Sequence, residues 1–464
     1  MRRRFQRAAA TATARTASAV SRMTRRGGGT AISGLAAQAV WPHYVPDALN
    51  SLSRLVLVSG TNGKTTTTAL IAAALRAAGH EVWTNPTGSN LERGLAAALA
   101  RRAAWHGGQR RERSAIGVFE VDEWALASLL PRLSPTLVVL LNLFRDQLDR
   151  YGEIDTTAGA WREVVAGLPH TTTILANADD PLVASVAKAH SGRIDWFGSD
   201  RLGAAADLDP WADVRGCPSC GEPLVYNAVA FAHLGRWRCP AGDLVRPSPD
   251  VAIVAPQPRG VDGLAMTLTA DGWQSEAEVP LPGLYSAYNV AAAVAAARAL
   301  GIGPAEALDA VAQTRPAFGR AEVIPTPHAE IVLLLTKNPT SANQVLDLLA
   351  DEPERLDTLV LLNDGVADGE DVSWIWDVEF ERLRPRRLTL GGRRAHDLEV
   401  RVKYAGVQPL NGRVAVEPGI AEPLDWALGR ADGRLAVVAT YTAMLDVRAV
   451  CVARGWTTPY WSDA

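Results

Sequence analysis

Short apolar runs alternate with helical patterns through the first part of the chain. The run RLVLV at residues 54–58 leads into SGTNGKTTTT and then into the helical pattern ALIAAALRAAG. Alternation of this kind favours a mostly parallel sheet with helices on both faces, and we predict an α/β fold. Further strand-like runs lie at 116–119, 136–141 and 173–176, and helical stretches lie between them at 124–130 and 158–167.

A stretch rich in Gly and Pro, at about residues 204–249, interrupts this alternation and contains three cysteines. The helical pattern returns at 287–300, and the junction RPAFGRAE closes the first unit near Glu322. A second alternation of strands and helices begins with IVLLL at 331–335. The predicted division is a basic N-terminal segment with a Gly-rich loop (1–50), a central α/β domain carrying the insert (51–322), and a smaller C-terminal α/β domain (323–464).

Composition narrows the class of protein. The chain has 464 residues, of which 48% are hydrophobic and 21% charged, which is the balance of a globular protein with a sizeable core. The formal net charge of −3 provides no overall basic field, so we expect no nucleic-acid partner. No apolar stretch approaches the ~20 residues that span a bilayer, and we expect no transmembrane segment.

The first 29 residues are rich in Arg, Ala, Ser and Thr and contain no acidic residue. One interpretation is a basic surface helix followed by a Gly-rich loop. A second interpretation is a helix that rests on anionic lipid headgroups, where each basic residue contributes ~1 kcal/mol near the surface. The second interpretation gains weight only if the substrate is bound to a membrane.

A phosphate-binding loop is predicted directly after the apolar run at 54–58. Glycines allow backbone N–H groups to surround phosphate oxygens, a lysine reaches the β- and γ-phosphates, and a threonine hydroxyl binds Mg²⁺. The general pattern has a glycine at position 58, where this chain has Val58, so the loop is a GTNGKT variant. Its residues are Gly60, Thr61, Asn62, Gly63, Lys64, Thr65 and Thr66.

Acidic residues follow the next predicted strand. Glu120, Asp122 and Glu123 stand where an open α/β site usually holds a metal carboxylate, and Glu120 is the preferred Mg²⁺ ligand. The other two acids are expected to be solvated or to cap the next helix. The polar stretch NLFRDQLD at 142–149 also follows an apolar run and should lie at the same sheet edge, although by itself it is typical of a salt-bridged helix start.

Three cysteines lie close together in the insert. Cys217 and Cys220 have the spacing of a zinc knuckle, and Cys239 lies where a zinc ribbon continues. No fourth cysteine follows, so closure of a zinc site would require Asp243, His233 or water. Three hypotheses stay open: three thiolates with a substitute ligand, weak or partial metal binding, and a ribbon that has lost zinc. The fourth cysteine, Cys451, lies in an apolar stretch typical of a core.

The order of motifs resembles that of the Mur ligases, and most closely their MurT subfamily, over nearly the whole chain. Three features separate the chain from Mur ligases that add amino acids: Gln147 replaces a usual histidine, cysteines interrupt the middle domain, and the last domain carries KNPTSANQ (337–344) and NDGVADGEDVSWIWDVEFE (363–381). The shared motifs are GTNGKTTTT, TNPTGSNLERG (84–94), FEVDE (119–123), NLFRDQLDRYGE (142–153), NADDP (177–181) and YNVAAAVAAARALG (288–301).

This resemblance implies an ATP-dependent carbon–nitrogen ligase of peptidoglycan synthesis. ATP would phosphorylate the α-carboxylate of D-glutamate in the stem peptide of lipid II, and ammonia would convert the acyl phosphate to D-isoglutamine. It implies ATP and Mg²⁺ as cofactors, with Thr65 and Glu120 on the metal and Asn289 at a nucleotide-contacting position. Arg320 or Lys337 would face the γ-phosphate, although Arg320 would equally suit an interdomain salt bridge.

The resemblance also implies a partner, a GatD-type glutaminase that supplies a Cys and a His and forms a heterodimer with this subunit. Asp371 matches the aspartate that completes the glutaminase triad in trans, beside Trp374 and Trp376 as aromatic anchors. From the residues alone, Asp371 is also a good helix cap. The less favoured candidates for the triad are Asp364, Asp368 and Asp377.

Two other functions are weighed against this one. The first is a stand-alone ligase that adds an amino acid, of the Mur or folylpolyglutamate type, which Gln147 and the DVSWIWD loop disfavour. The second is a non-catalytic zinc-ribbon binding module, which the intact Lys64–Thr65 pair disfavours. We expect a cytoplasmic protein, peripheral at the inner face of the bacterial cell membrane, where it meets lipid II.

Overall fold

A computed structural model describes residues 2–23, 30–85, 90–102, 114–146, 154–201, 208–314 and 319–459. The strands are β1 Arg54–Ser59, β2 Val82–Trp83, β3 Ile116–Glu120, β4 Leu137–Leu140, β5 Thr173–Asn177, β6 Ile194–Arg201, β7 Val225–Phe231, β8 Leu234–Arg238, β9 Val251–Pro258, β10 Leu264–Ala270, β11 Trp273–Val279, β12 Arg320–Pro325, β13 Glu330–Leu335, β14 Asp357–Leu361, β15 Leu388–Gly391, β16 Ala415–Val416 and β17 Arg434–Ala439.

The helices pack on both faces of the sheets, and short 3₁₀ turns lie at Leu130–Arg132, Ser373–Asp377 and Phe380–Arg382. They are α1 Arg2–Met23, α2 Thr30–Val40, α3 Tyr44–Leu49, α4 Lys64–Ala77, α5 Glu92–Arg102, α6 Glu123–Leu129, α7 Ile154–Ala166, α8 Pro181–Ala187, α9 Leu284–Ala299, α10 Pro304–Ala312, α11 Pro339–Ala350, α12 Ala395–Tyr404, α13 Ala421–Leu428 and α14 Tyr441–Ala453.

The larger sheet has the order β11-β10-β9-β6-β5-β4-β1-β3-β2 among the described residues. Its strands β2, β3, β1, β4, β5, β6 and β9 run parallel, and β10 and β11 add an antiparallel edge. Successive residues of β1 point to opposite faces: Leu55 and Leu57 enter one buried cluster, and Val56 and Val58 enter the other. The predicted α/β fold with a parallel sheet is confirmed.

Helix α9 lies across one face of this sheet and packs against α4, the helix that follows the phosphate loop. Its residues from Ser286 to Ala297 are all buried, and most of them are alanine or valine. Small side chains let a fully buried helix approach the strands and its neighbour closely. This close approach places Asn289 against the loop between β1 and α4.

The smaller sheet has the order β12-β13-β17-β14-β15-β16, with β12 antiparallel and the other strands parallel. Its first strand begins at Arg320, and residues 315–318 shortly before it lie outside the described ranges. Buried clusters cover both of its faces, and Cys451 is fully buried in one of them. Burial raises the pKa of the Cys451 thiol to about 11, as suits a core cysteine.

The N-terminal segment contains more structure than its sequence predicted. Helix α1 packs on α2 and α5, and α2 and α3 were not anticipated. A Cβ built on Gly34 of α2 would lie 1.8 Å from the carbonyl oxygen of Arg93, so only glycine permits this packing. The predicted Gly-rich loop lies outside the described residues. In the part of the chain that is described, no helix has the length and apolar character needed to cross a membrane.

Candidate functional site

The loop between β1 and α4 has the backbone that phosphate binding requires. Gly60 and Gly63 adopt φ angles of 146° and 88°, which residues with a side chain rarely adopt. A Cβ on Gly63 would lie 2.2 Å from Oδ1 of Asn289, and one on Gly60 would lie 2.8 Å from the Cβ of Leu141. Neighbouring side chains therefore pack directly against both glycines, which leaves no room for larger residues at these positions. The loop ends at Lys64, the first residue of α4.

Residues Asn142–Asp146, which follow β4 and are called the 142–146 segment below, fasten this loop. The N–H of Thr61 donates to the carbonyl of Asn142 at 2.9 Å, and the N–H of Asn62 donates to its Oδ1 at 2.8 Å. The N–H of Phe144 donates to Oγ1 of Thr61 at 3.0 Å. The segment is irregular, so the helix start suggested by NLFRDQLD is not formed in its described part, and Gln147 lies outside the described residues.

The Lys64 ammonium group lies over its own loop. Its Nζ donates to the carbonyl oxygens of Gly60 at 2.5 Å and Thr61 at 3.2 Å, and it forms an ion pair with Glu123 at 3.2 Å. The residue is 7% exposed. A buried cation beside the loop is placed to meet phosphate oxygens.

Glu120 stands out among the three acids after β3. Its carboxylate is buried, receives the hydroxyl hydrogen bond of Thr65, and leaves Oε2 without a hydrogen-bond partner among the described residues. Burial raises the pKa of Glu120, against the opposing effects of Thr65, Arg320 and the nearby lysines. A buried, unpaired carboxylate oxygen next to a threonine hydroxyl fits the donor set that Mg²⁺ takes at a phosphate loop.

The other two acids of this group have partners within the protein. The Asp122 carboxylate caps α6 by accepting the N–H groups of Trp124 and Ala125 at 3.1 and 3.4 Å. Glu123 is engaged by Lys64. Among these three acids, Glu120 is therefore the one that keeps a carboxylate oxygen available for a metal ion.

The two basic residues expected near the γ-phosphate differ in their surroundings. The side chain of Arg320, at the start of β12, has no hydrogen bond or ion pair to any described residue, so the alternative of a salt bridge is not observed there. Burial lowers the pKa of Arg320, although the charge of Glu120 opposes this effect. Arg320 is thus a half-buried cation near Glu120, and its side chain remains open to an anionic ligand.

Lys337 forms an ion pair with Oδ2 of Asp146 at 2.5 Å. Burial by itself would lower the pKa of Lys337, but the charges of Asp146 and Glu123 raise it above its usual value. The other oxygen of Asp146, Oδ1, is buried and has no partner among the described residues. Lys337 is therefore committed to Asp146 and holds the two sheets together at this point.

Asn289 and two residues that the sequence did not single out complete the site. Oδ1 of Asn289 accepts a hydrogen bond from Oγ1 of Thr67 at 3.3 Å. Nδ2 of Asn338 donates to Oδ1 of Asn62 at 3.3 Å, which links the loop to the N-terminal cap of α11. Asn338 and Asp146 lay in the motifs noted in the sequence, but only the folded chain shows that they meet the loop and Lys337.

Asp371 lies elsewhere, beside a surface cavity of about 500 Å³. The N–H of Ser373 donates to its Oδ1 at 2.8 Å, and the hydrogen bonds from Ser373 lower the pKa of this exposed carboxyl. Trp376 is 52% exposed in the same cavity. None of the residues predicted to bind nucleotide lines it; the lining residues are Glu370, Asp371, Val372, Ser373, Ile375, Trp376, Arg394, His396, Asp397 and Val400.

The other aspartates weighed against Asp371 are engaged in the described structure. Asp364 pairs with Arg394 at 3.3 Å, and Asp377 pairs with Arg145 at 3.1 Å. Asp368 is buried and accepts hydrogen bonds from Thr442 and Gly365. Asp371 alone among these four combines exposure with a position on the cavity.

The thiols of Cys217, Cys220 and Cys239 lie within 4.8 Å of one another. They come from two loops of similar build, in which the N–H of Cys217 donates to Glu222 O at 2.8 Å and that of Cys239 to Leu244 O at 3.0 Å. These positions fit three corners of a tetrahedral zinc site.

The fourth corner is different in the second loop, which has Gly242 where the first has Cys220. The carboxylate of Asp243 contacts the thiol of Cys220, and its backbone N–H contacts that of Cys239. The prediction that His233 could serve as the fourth zinc ligand is wrong. Its ring is buried against Phe144, and its Nε2 lies 3.5 Å from Asp180. Among the described residues, the cluster of potential zinc ligands consists of the three cysteine thiols, and His233 does not belong to it.

Comparison with known proteins places both halves of the chain. A family model described as the Mur ligase middle domain matches residues 58–204, and one described as MurT ligase C-terminal matches residues 335–444. The lipid II isoglutaminyl synthase (glutamine-hydrolyzing) subunit MurT of Streptococcus pneumoniae is 32% identical over 93% of this chain and 94% of its own length. The protein of the same name from Staphylococcus aureus strain COL is 29% identical over 82% and 84%.

Solved structures agree with this fold. A pseudomurein peptide ligase type C from Methanothermus fervidus superposes with a TM-score of 0.66 at 19% identity, over 89% of this chain and 81% of its own. A MurF ligase from Thermotoga maritima, solved in complex with ADP, superposes with a TM-score of 0.61 at 14% identity, over 90% and 85%. At these identities, the likeness establishes the architecture alone.

Proposed function

The chain belongs to the MurT family of Mur ligases and is an ATP-dependent ligase, and on that premise we propose that it is the synthetase subunit of a glutamine-dependent lipid II isoglutaminyl synthase. The observation that carries the proposal is the pairing of Glu120 and Thr65 at the mouth of the phosphate loop, with the open cation Arg320 facing them. Such a site neutralises charge on a transferred phosphoryl group.

The proposed reaction has two steps. An oxygen of the α-carboxylate of D-glutamate in the lipid II stem peptide attacks the γ-phosphorus of ATP, and the bond to ADP breaks. Ammonia then attacks the carbonyl carbon of the acyl phosphate, inorganic phosphate leaves, and a proton is released with formation of D-isoglutamine. Both steps depend on positioning and on neutralising negative charge, because the protein contributes no covalent intermediate.

Different residues of this chain bind the phosphates, stabilise the charge on the transferred group and hold the two domains together. The backbone N–H groups from Gly60 to Thr66 surround the phosphates, and Lys64 leaves its own carbonyls to reach them. Arg320 stabilises the charge on the transferred group, while Lys337, held by Asp146, keeps the C-terminal domain against the site. Thr65 and Glu120 would hold Mg²⁺, which would neutralise negative charge on the phosphates when bound.

We further propose that a GatD-type glutaminase docks on the cavity beside Asp371 and takes this carboxylate as the third member of its triad. A carboxylate orients the imidazole and stabilises its protonated form. The exposure of Asp371 on the cavity supports the role, because its carboxylate is accessible to a partner while the N–H of Ser373 orients it. Exposed Trp376 offers the aromatic anchor that such interfaces favour.

The decisive experiment is amidation of lipid II by the chain plus its glutaminase, with glutamine or ammonium as nitrogen source. The expected result is product from both sources, with Asp371→Asn losing product from glutamine while retaining product from ammonium. Glu370→Gln, an acid on the same cavity, is the matched control and should retain both. Ligation of a free amino acid without the glutaminase would instead assign the chain to the stand-alone ligases.

Membrane attachment is proposed for the N-terminal helices, since lipid II is a membrane lipid. Eight arginines and no acidic residue precede Asp47, and α2 exposes Ile32, Leu35 and Val40. A basic segment and exposed apolar side chains each favour binding to an anionic bilayer. Vesicles with phosphatidylglycerol should retain the protein better than phosphatidylcholine vesicles; equal retention, or no effect of Leu35→Glu relative to Val245→Glu on the insert, would contradict the proposal.

A further inference from the structure

The 142–146 segment contacts the nucleotide loop on one side and the C-terminal domain on the other. On the loop side, Asn142 and Phe144 hold Thr61 and Asn62 through the hydrogen bonds described above. On the other side, two adjacent residues of opposite charge form ion pairs with the C-terminal domain. Asp146 pairs with Lys337, and Arg145 pairs with Asp377 at 3.1 Å.

Arg145 is attached to the central domain through both its backbone and its side chain. Its backbone N–H donates to Oδ2 of Asp213 at 2.9 Å, and its side-chain Nε contacts Oδ1 of the same carboxylate. The side chain of Asp213 is 4% exposed, so this anchor is shielded from solvent. The Nη1 that remains is directed at Asp377.

Asp377 is the last residue of the 3₁₀ turn Ser373–Asp377, and Asp371 is tied to the first. At ~2 Å rise per residue, the four steps from Ser373 to Asp377 separate the two ends by only about 8 Å. Its far end is held from α11 as well, because Nδ2 of Asn343 donates to the carbonyl of Asp377 at 3.0 Å. The short turn is thus the direct covalent connection between Asp377 and the backbone that orients the Asp371 carboxylate.

We propose that Arg145 is a positioning residue that couples the nucleotide loop to Asp371 through Asp377. The inference rests on the proposed function of the two sites. A shift of the 142–146 segment when phosphates fill the loop moves Nη1 of Arg145, and the short turn moves with it. Coupling between sites is reciprocal for binding, so the glutaminase should in turn alter the affinity of the loop for nucleotide.

The test uses the assembled two-subunit enzyme and measures glutamate release from glutamine with and without ATP plus lipid II. In the wild type, ATP with lipid II should raise glutamate release. In Arg145→Ala and in Asp377→Asn, this stimulation should fall by about five-fold or more. Amidation supported by ammonium should stay within about two-fold of wild type, because neither residue belongs to the phosphate loop or to the Glu120–Thr65 pair. Arg145→Lys, which keeps the charge, should restore part of the stimulation.

Arg434→Ala is the matched control. It removes another ion pair between the same two domains, Arg434 to Asp262 at 2.7 Å, at a place that does not contact the 142–146 segment. Stimulation in Arg434→Ala should equal that of the wild type. Unchanged stimulation in Arg145→Ala, an equal loss in Arg434→Ala, or a wild-type glutaminase rate that ignores ATP would each overturn the inference. Absence of amidation from either nitrogen source in the wild type would instead overturn the proposed function.

Discussion

Substitution of Gly63 by alanine tests how tightly Asn289 closes the phosphate loop. The added Cβ would meet Oδ1 of Asn289 at 2.2 Å and its Cγ at 3.3 Å. Asn289 is 6% exposed and bonded to Thr67, so its side chain can yield only by giving up that hydrogen bond. The new residue would also keep the left-handed φ of 88°.

Two costs add in this variant. A left-handed residue with a Cβ costs ~1–2 kcal/mol, and a lost hydrogen bond costs ~1 kcal/mol. We expect Gly63→Ala to lower the free energy of unfolding by about 2–3 kcal/mol. Gly301→Ala isolates the first cost, because Gly301 has a φ of 92° and a Cβ there meets nothing within 4 Å; it should cost only about 1–2 kcal/mol.

Urea unfolding followed by tryptophan fluorescence compares the two variants, and calorimetry measures ATP affinity in each. Gly63→Ala should weaken ATP binding, whereas Gly301→Ala should not. Adding Asn289→Ala to Gly63→Ala should recover part of the lost stability, because it removes the clashing oxygen. Equal unfolding energies for the two glycine variants, or no recovery in the double variant, would refute the argued contact between Asn289 and the loop.

Three further predictions follow from the site and the insert. Glu120→Gln should lower ATP-dependent amidation by about a hundred-fold and weaken its dependence on Mg²⁺, measured by Mg²⁺ titration of the rate; an unchanged Mg²⁺ dependence would remove Glu120 from the metal site. Cys220→Ser should lower zinc content below that of the purified wild type, where metal analysis is expected to find about one zinc per chain, and should expose the insert to limited proteolysis. The pKa of Lys337 is raised above 10.5 in the folded protein. The ion pair therefore makes its full contribution to the stability of the fold below pH 10.5 and loses it as the pH rises through the folded pKa. The difference in melting temperature between wild type and Lys337→Met should therefore hold constant from neutral pH to about pH 10 and then shrink.

Local patterns predicted several elements of the central domain, namely β1, β3, β4, β5, α6, α7 and α9, because these segments are apolar in the way that their burial requires. The strands β2, β6 and β9 to β11 were not predicted individually. The run at 54–58 becomes β1, the loop at 60–66 adopts the expected glycine conformations, and α9 begins three residues before the predicted start. Helices α2 and α3 escaped prediction because a mixture of Ala, Gly and Pro has little amphipathic contrast. Their packing becomes visible only when Gly34 is seen against α5.

The parts of the site that the sequence could not predict are contacts between distant segments. No local pattern shows that Lys337 meets Asp146, which is 191 residues away, or that the side chain of Arg320 is left without a partner among the described residues. The same holds for His233, whose spacing suited a zinc ligand but whose ring packs with Phe144. Such contacts depend on how the two sheets and the insert meet, which is settled by tertiary packing.

The two edges of the larger sheet bear on how the protein behaves at high concentration. An exposed edge strand offers unpaired N–H and carbonyl groups to a strand of another molecule, which is a route to aggregation. On one side the edge is β2, which is only two residues long, and on the other it is β11, whose sequence WQSEAEV exposes Glu276 and Glu278. A second copy approaching β11 would bring like charges together and leave them poorly hydrated. Both edges therefore disfavour sheet growth between molecules. Replacing Glu276 and Glu278 by valine would make β11 prone to pair with a strand of another molecule.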